Sequence, residues 1–168
     1  MSCVTSGTTD LPFGKIYLDS NIFISAHSEG GDVAHLLLKM LETAPMRGGA
    51  AFATSELTLA EVLVRPMRGN DEVSARELGM MLLPSGWLDV QSVSRSVLVS
   101  SARLRGQHRA LKLPDAIHVA SAFAGGCTHF LSADLRLRNH YGVDPSTRME
   151  VLVPTVETLT DIIEWLPQ

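Results

Sequence analysis

Long apolar runs are missing from this chain of 168 residues. The longest, such as Leu36 to Leu38 and Ile117 to Ala124, fall short of the roughly 18 residues that a membrane-crossing helix needs, so no transmembrane segment is expected. Cysteine is scarce as well. Cys3 and Cys127 lie far apart and provide neither a disulfide framework nor the spacing of a zinc site. An excess of positive charge is also absent: 14 Lys and Arg against 18 Asp and Glu leave a net charge of −4 and a pI near 5.8. That balance excludes a protein whose whole surface attracts polyanions, so any contact with nucleic acid must be local. Glycine (13) and proline (8) are too few for a collagen-like or disordered chain, and 45% apolar with 19% charged residues suits one compact domain. A chain of this size can bury roughly 70% of its unfolded surface without a metal or disulfide staple. Residues 1–14, rich in Ser, Thr and Gly, carry no lysine, arginine or apolar stretch. They read as a flexible leader rather than a secretory signal, with 15–168 as a single domain and a reducing cytoplasm as its compartment.

Hairpin dipeptides between adjacent strands are lacking too, while short strands and helices alternate throughout. Lys15 to Leu18 forms a β-branched and aromatic strand that ends at a polar turn, Asp19-Ser20-Asn21. Asp32 caps a helix carrying Val33, Leu37, Met40, Leu41 and Ala44 at helical spacing up to Pro45. Ala50 to Ala53 is a buried strand, followed from Thr54 or Ser55 by a helix to Val64 that Pro66 stops. Asn70 caps a helix from Asp71 to about Leu83, and Trp87 to Val93 alternates as a strand before a helix over about Ser94 to Gln107. Pro114 opens a helix that continues to Ala124 and meets Gly125-Gly126. Thr128 to Leu131 and Glu150 to Val153 are the last strands, and Thr155 caps a final helix with Val156, Leu159, Ile163 and Leu166 on one face. Five strands so arranged predict an α/β domain on a parallel sheet.

Four carboxylates stand where a stable fold has little use for them. Asp19 ends the first strand and Asp134 lies just past another, and in open parallel sheets the crevice beyond such strand ends is the usual ligand site. Asp115 lies in the first turn of a helix that is apolar nearly all round. Glu61 sits among Leu59, Ala60, Val62, Leu63 and Val64 on a second such helix. Ordinary explanations exist for three of them: Asp115 complements a helix dipole, Asp19 can make an Asx turn, and Asp134 can cap its turn. Neither capping nor turn formation explains Glu61, which needs a partner. If the four converge, their repulsion opposes folding unless a cation compensates. Lysine or arginine can do so, but a hard divalent cation such as Mg²⁺ or Mn²⁺, which prefers oxygen ligands, is the better answer. None of the six histidines pairs with a cysteine at zinc spacing. His118, one turn after Asp115, is either an outer supporting group or a satisfied structural histidine.

Such a cation suits one chemistry well, the activation of water for in-line displacement at phosphorus. Local positive charge fits a phosphate-ester polyanion. Arg65 and Arg68 follow the Glu61 helix; Arg103, Arg105, Arg109 and Lys112 lead into Asp115; Arg136 and Arg138 follow Asp134. The alternative is that these residues complement helix ends and solvate the surface. Few aromatics accompany them, so phosphate contact outweighs base stacking.

At these residues the chain resembles the PIN-domain family, in particular its VapC-type members, the ribonuclease toxins of toxin–antitoxin pairs. The likeness is carried by IYLDSNIFI (Asp19, Asn21), TSELTLAEVLVRP (Glu61), LPDAIHVASA (Asp115) and FLSADLRL (Ser132, Asp134), and it spans about Lys15 to Leu166. It implies a PIN-like three-layer α/β/α fold with a parallel five-stranded sheet. It further implies a Mg²⁺- or Mn²⁺-dependent endoribonuclease in which Asp19, Glu61, Asp115 and Asp134 hold metal, with Asn21 and Ser132 as polar supports. Hydrolysis by metal-activated water would leave 5′-phosphate and 3′-hydroxyl ends. Arg65, Arg68, Arg105, Arg109, Lys112 and Arg136 are the candidate contacts to RNA phosphates. Similar toxins pair with a small antitoxin and commonly form homodimers. The leader is longer than such toxins typically have.

The main alternative is a non-catalytic PIN module that binds RNA or protein, although a silent copy has no physical reason to keep clustered acids. A response-regulator receiver would place paired acids after the first strand and a lysine after a late one, whereas Ser20 follows Asp19 and no lysine follows Lys112. A haloacid-dehalogenase-like phosphatase would show Asp-x-Asp where this chain has Asp19-Ser20-Asn21.

Overall fold

Alternation along the strands sorts the side chains into two cores, one on each face of a sheet. The computed structural model describes residues 13–28, 30–44, 50–137, 141–144 and 147–166. Ile16–Leu18 (β1), Phe52–Ser55 (β2), Leu88–Gln91 (β3), His129–Leu131 (β4), Tyr141–Asp144 (β5) and Thr147–Leu152 (β6) form one sheet in the order β3-β2-β1-β4-β6-β5. The pairings β3-β2, β2-β1, β1-β4 and β4-β6 are all parallel, so the expected five-stranded parallel sheet is present. A sixth strand, β5, runs antiparallel to β6 at the edge. It is a departure from the sequence reading, as is the start of β6 at Thr147 rather than Glu150.

Because successive strand residues point to opposite faces, Ile16, Leu18, Phe52, Leu88 and Leu131 join one core and Tyr17, Ala53 and Phe130 the other. The first core is completed by Ser20–His27 (α1), Asp32–Thr43 (α2) and Val156–Trp165 (α8), through Phe23, Leu37, Met40, Leu159 and Ile162. The second is closed by Arg95–Gln107 (α6) and Leu113–Ala124 (α7), through Val97, Leu104, Ala116, Val119 and Ala120. Helices therefore cover both faces, in three layers. Each fully buried large side chain, Phe23, Phe52 and Phe130 among them, contributes about 1.5–3 kcal/mol relative to exposure.

Several local expectations give way to better partners. The polar turn at Asp19-Ser20-Asn21 is the start of α1: Asp19 is its extended N-cap (φ −70°, ψ 159°) and accepts from Ser20 N. Pro66 does not stop a helix. Glu56–Val62 (α3) ends before it, and Pro66 sits third in Val64–Gly69 (α4), where a missing N–H costs no helical bond. Asn70 closes α4 in the left-handed region (φ 52°), and Asp71 rather than Asn70 caps Glu72–Met81 (α5), accepting from Ser74 N. Gly31, not Asp32, is the N-cap of α2. Val156 is half exposed, so the buried stripe of α8 is Leu159, Ile162, Ile163 and Trp165. The leader expected over 1–14 and the stop at Pro45 lie, apart from Phe13 and Gly14, outside the described residues. Phe13 packs edge-on against His129 and Trp165.

Candidate active site

The sheet order brings the acids to one edge. Building outward from β1, the chain goes first to β2 and β3 on one side and then returns to β4 on the other, so the C-terminal ends of β1 and β4 flank the topological switch point. Asp19 is the first residue after β1, and Ser132 the first after β4. Asp19 N donates to Leu131 O at 3.1 Å, which locks the two strand ends side by side. Helix α3 follows β2 directly and carries Glu61 in its last turn, and α7 runs back towards β4, so its first turn, with Asp115, returns to the same end of the sheet.

The Asp19 carboxylate is buried and well supplied with donors. Ser20 N donates to Oδ1 at 2.8 Å; Asn21 Nδ2 and Ser132 Oγ donate to Oδ2 at 2.6 and 2.5 Å. Asn21 also donates to Ser132 Oγ at 3.0 Å and accepts from Ala133 N at 2.9 Å, and Ser132 Oγ accepts from Asp134 N at 3.0 Å. Asn21 and Ser132 thus tie α1 to the loop after β4 and fix the carboxylate between them.

Glu61 meets a different partner. His118 Nε2 lies 2.8 Å from Glu61 Oε2 and 3.9 Å from Asp19 Oδ1. Ionised carboxylates only accept, so Nε2 carries the hydrogen and donates to Glu61. Burial pushes the Glu61 carboxyl up, but the bonds from His118 and Ser20 outweigh it and hold the group below its ordinary value. One donor atom each from Asp19, Glu61 and His118 lies within 4.8 Å of the others. Behind His118, the Tyr17 hydroxyl stands 2.9 Å from Nδ1 and 2.8 Å from Ser55 Oγ, and burial raises its pKa well above the ordinary range.

Asp115 is half-buried, and no hydrogen bond to its carboxylate is present among the described residues. Burial is the main cause that raises its pKa; Asp134 and Asp19 add to the rise, and Arg136 and His118 oppose it. Asp134 is occupied by Arg136, whose Nε donates to both carboxylate oxygens at 2.9 and 3.0 Å, with Nη2 on Oδ2 and the backbone N on Oδ1. This bidentate clasp holds Asp134 below the usual carboxylate range. Arg65, Arg68, Arg103, Arg105, Arg109, Lys112 and Arg136 are exposed. Arg105 Nε donates to Leu111 O at 3.3 Å across the α6–α7 connection, and Arg138 lies outside the described residues.

Sequence reasoning left His118 open and missed Tyr17. Both carried a signal: His118 is three residues after Asp115 and therefore on the same helix face, and Tyr17 puts a hydroxyl on the strand that ends at Asp19.

An open sheet flanked by helices, with carboxylates beyond the strand ends at the switch point, defines an α/β domain of the open, mostly parallel class, in which that crevice is the usual ligand site. The chain belongs to the PIN domain family, whose model matches residues 16–143. Its fold is similar to that of a toxin–antitoxin complex from Klebsiella pneumoniae, at 22% identity over 84% of this chain and 98% of that one, with a TM-score of 0.60. It is similar as well to VapBC2 from Rickettsia felis bound to a DNA fragment from their promoter (18%, 82% and 98%, 0.60). A third likeness is to VapC20 from Mycobacterium tuberculosis, a sarcin-ricin loop cleaving toxin (14%, 69% and 87%, 0.56). No curated protein matches the sequence.

Proposed function

We propose that this chain is a metal-dependent endoribonuclease of the VapC type, the toxin of a type II toxin–antitoxin pair. The observation that carries the reading is the meeting of Asp19 and Glu61 beyond β1, together with an Asp115 carboxylate that feels the Asp19 charge and lacks a hydrogen-bond donor among the described residues. A half-buried carboxylate so placed calls for a cation. The donor set suits a hard one: Asp19, Glu61 and Asp115 offer oxygen, whereas His118 Nε2 is already committed to Glu61. Asp19, Glu61 and Asp115 would hold Mg²⁺ or Mn²⁺, with Asp134 as a fourth acid once Arg136 releases it. Bound there, the ion supplies Lewis acidity that activates water and offsets charge developing at phosphorus.

The chain's own residues set the stage for that hydrolysis. Ser20 N, Asn21 and Ser132 orient Asp19, and Arg136 is poised beside Asp134 to reach a phosphate oxygen. Arg65, Arg68, Arg105, Arg109 and Lys112 add phosphate contacts that position RNA without reading its bases. The similar solved complexes support a small protein antitoxin as partner. A homodimer in the cytoplasm is the expected state of the free toxin.

The test is cleavage of a mixed pool of structured RNAs by antitoxin-free protein in Mg²⁺, Mn²⁺ or EDTA, beside Asp19→Asn. Cutting that needs metal and that Asp19→Asn lacks is the expected result. Absence of cutting by metal-loaded protein, or equal cutting by Asp19→Asn, overturns the reading in favour of a binding module.

A further inference from the structure

Glu61 meets its partners outside its own helix. It stands in the last turn of α3, its side chain is about one-third exposed (32%), and its carboxylate is bonded by His118 at 2.8 Å and also by Ser20. His118, by contrast, is held on every side. Its side chain is 3% exposed, and it lies on α7 among Ala116, Ile117, Val119 and Ala120, all buried. Its second ring nitrogen is 2.9 Å from the Tyr17 hydroxyl. Tyr17 in turn is wholly buried, stacks on Phe130 with ring centroids 5.0 Å apart, and reaches Ser55 Oγ. Ser55 ends β2 and precedes α3, so the chain Ser55, Tyr17, His118, Glu61 starts and finishes on the two ends of the α3 segment and passes through β1 and α7. Beneath it, Thr54 Oγ1 donates to Leu18 O at 2.9 Å and lies 2.7 Å from Thr58 Oγ1, which fixes α3 to β1.

We infer that His118, anchored by Tyr17, is the positioning residue that sets the Glu61 carboxylate beside Asp19. This rests on the reading of Asp19 and Glu61 as metal-holding groups. A partly exposed glutamate has several rotamers open to it, and freezing them costs free energy that otherwise weakens ion binding. A buried imidazole with its ring orientation already fixed removes that cost, because its Nε2–H is aimed at one place. Groups that orient ligands in this way typically govern metal affinity 10–100-fold. His118 acts through Glu61 and makes no bond to the ion.

The experiment measures Mn²⁺ binding by titration calorimetry and by the electron paramagnetic resonance of the bound ion, with thermal melts as a check on folding. Tyr17→Phe keeps the buried ring and removes the hydroxyl; His118→Gln keeps an N–H donor near the place of Nε2. Tyr17→Phe and His118→Ala are expected to weaken Mn²⁺ binding roughly 10-fold or more, while His118→Gln recovers most of the loss. In a Glu61→Gln background Tyr17→Phe adds no further loss, since both changes act on one carboxylate. Nitrogen hyperfine coupling on bound Mn²⁺ would place the imidazole on the ion and overturn the inference. So would equal, additive losses in the two backgrounds, or unchanged affinity in Tyr17→Phe and His118→Ala when Glu61→Gln is weakened. A wild type that binds no Mn²⁺ and cuts no RNA overturns the metal reading itself, and the inference with it.

Discussion

Removing the hydroxyl of Ser132 tests whether Asp19 is held by an inter-element clasp. Ser132 is fully buried and Asp19 is 6% exposed, so the 2.5 Å bond between them is shielded from water. A hydrogen bond to a charged group contributes about 1.5–3 kcal/mol, and Ser132→Ala removes one. Two further donors, Asn21 Nδ2 and Asp134 N, lose Oγ as an acceptor. Asn21 Nδ2 keeps its bond to Asp19, and the partly exposed Asp134 segment admits water, so these losses add little. The net cost is about 2 kcal/mol, which for a chain of this length lowers Tm by about 4–8 °C. The assay is urea and thermal denaturation in EDTA, for Ser132→Ala in the wild-type background and in Asp19→Asn. With the charge gone, the same truncation costs about 1 kcal/mol, the value of a neutral bond, so the two backgrounds differ by about 1 kcal/mol. A drop in Tm below about 1 °C, or the same cost in both backgrounds, refutes the clasp.

Two other outcomes follow from the charges. Burial raises the Asp115 carboxyl, so the folded chain keeps a proton that the unfolded chain has released; stability falls as pH rises from the unfolded value of about 3.9 through the raised one, and stays lower above it. Asp115→Asn therefore melts higher than wild type at pH 7 in EDTA, and the gap closes once pH falls below the unfolded value. A lower melting temperature at pH 7 contradicts the assignment. For RNA, the proposal that the exposed Arg65 and Arg68 contact phosphates predicts that Arg65→Ala with Arg68→Ala reduces the slope of log affinity against log salt by about 1–2 through lost counterion release. An unchanged slope removes both residues from the contact.

The parallel strands were legible because β1, β2 and β4 are short apolar segments that each end in polar residues, and because parallel sheets bury both faces. What escaped was decided by partners outside the local window. Asp19-Ser20-Asn21 looks like a turn taken alone. It becomes a helix start because Ala133 N and Ser132 Oγ, 112 and 111 residues further on, bond Asn21 and hold α1 against the loop after β4. Strand β5 was missed since its pairing to β6 lies at the sheet edge, where no hydrophobic alternation is imposed. Pro66 misled for a different reason. A proline that ends one helix also suits the first turn of another, and only the break at Leu63 tells the two apart.

The site divides along the same line. Asp19, Asp115 and Asp134 draw notice because strand ends and helix starts are readable from composition, but these are also the acids with ordinary local explanations. Glu61 drew notice because it had none, and the structure supplies its partner in His118, a residue 57 positions away. A buried histidine on an apolar helix face looks the same in sequence whether it is merely satisfied or holds a glutamate in place. The difference is made by Tyr17, which faces α7 only because Ile16 and Leu18 on either side face the other core. The register of one three-residue strand therefore decides both which core each side chain enters and whether Glu61 is aimed at Asp19. A slip of one residue in β1 would turn Tyr17 to the opposite face and leave the Nδ1 of His118, whose other nitrogen bonds Glu61, without its partner.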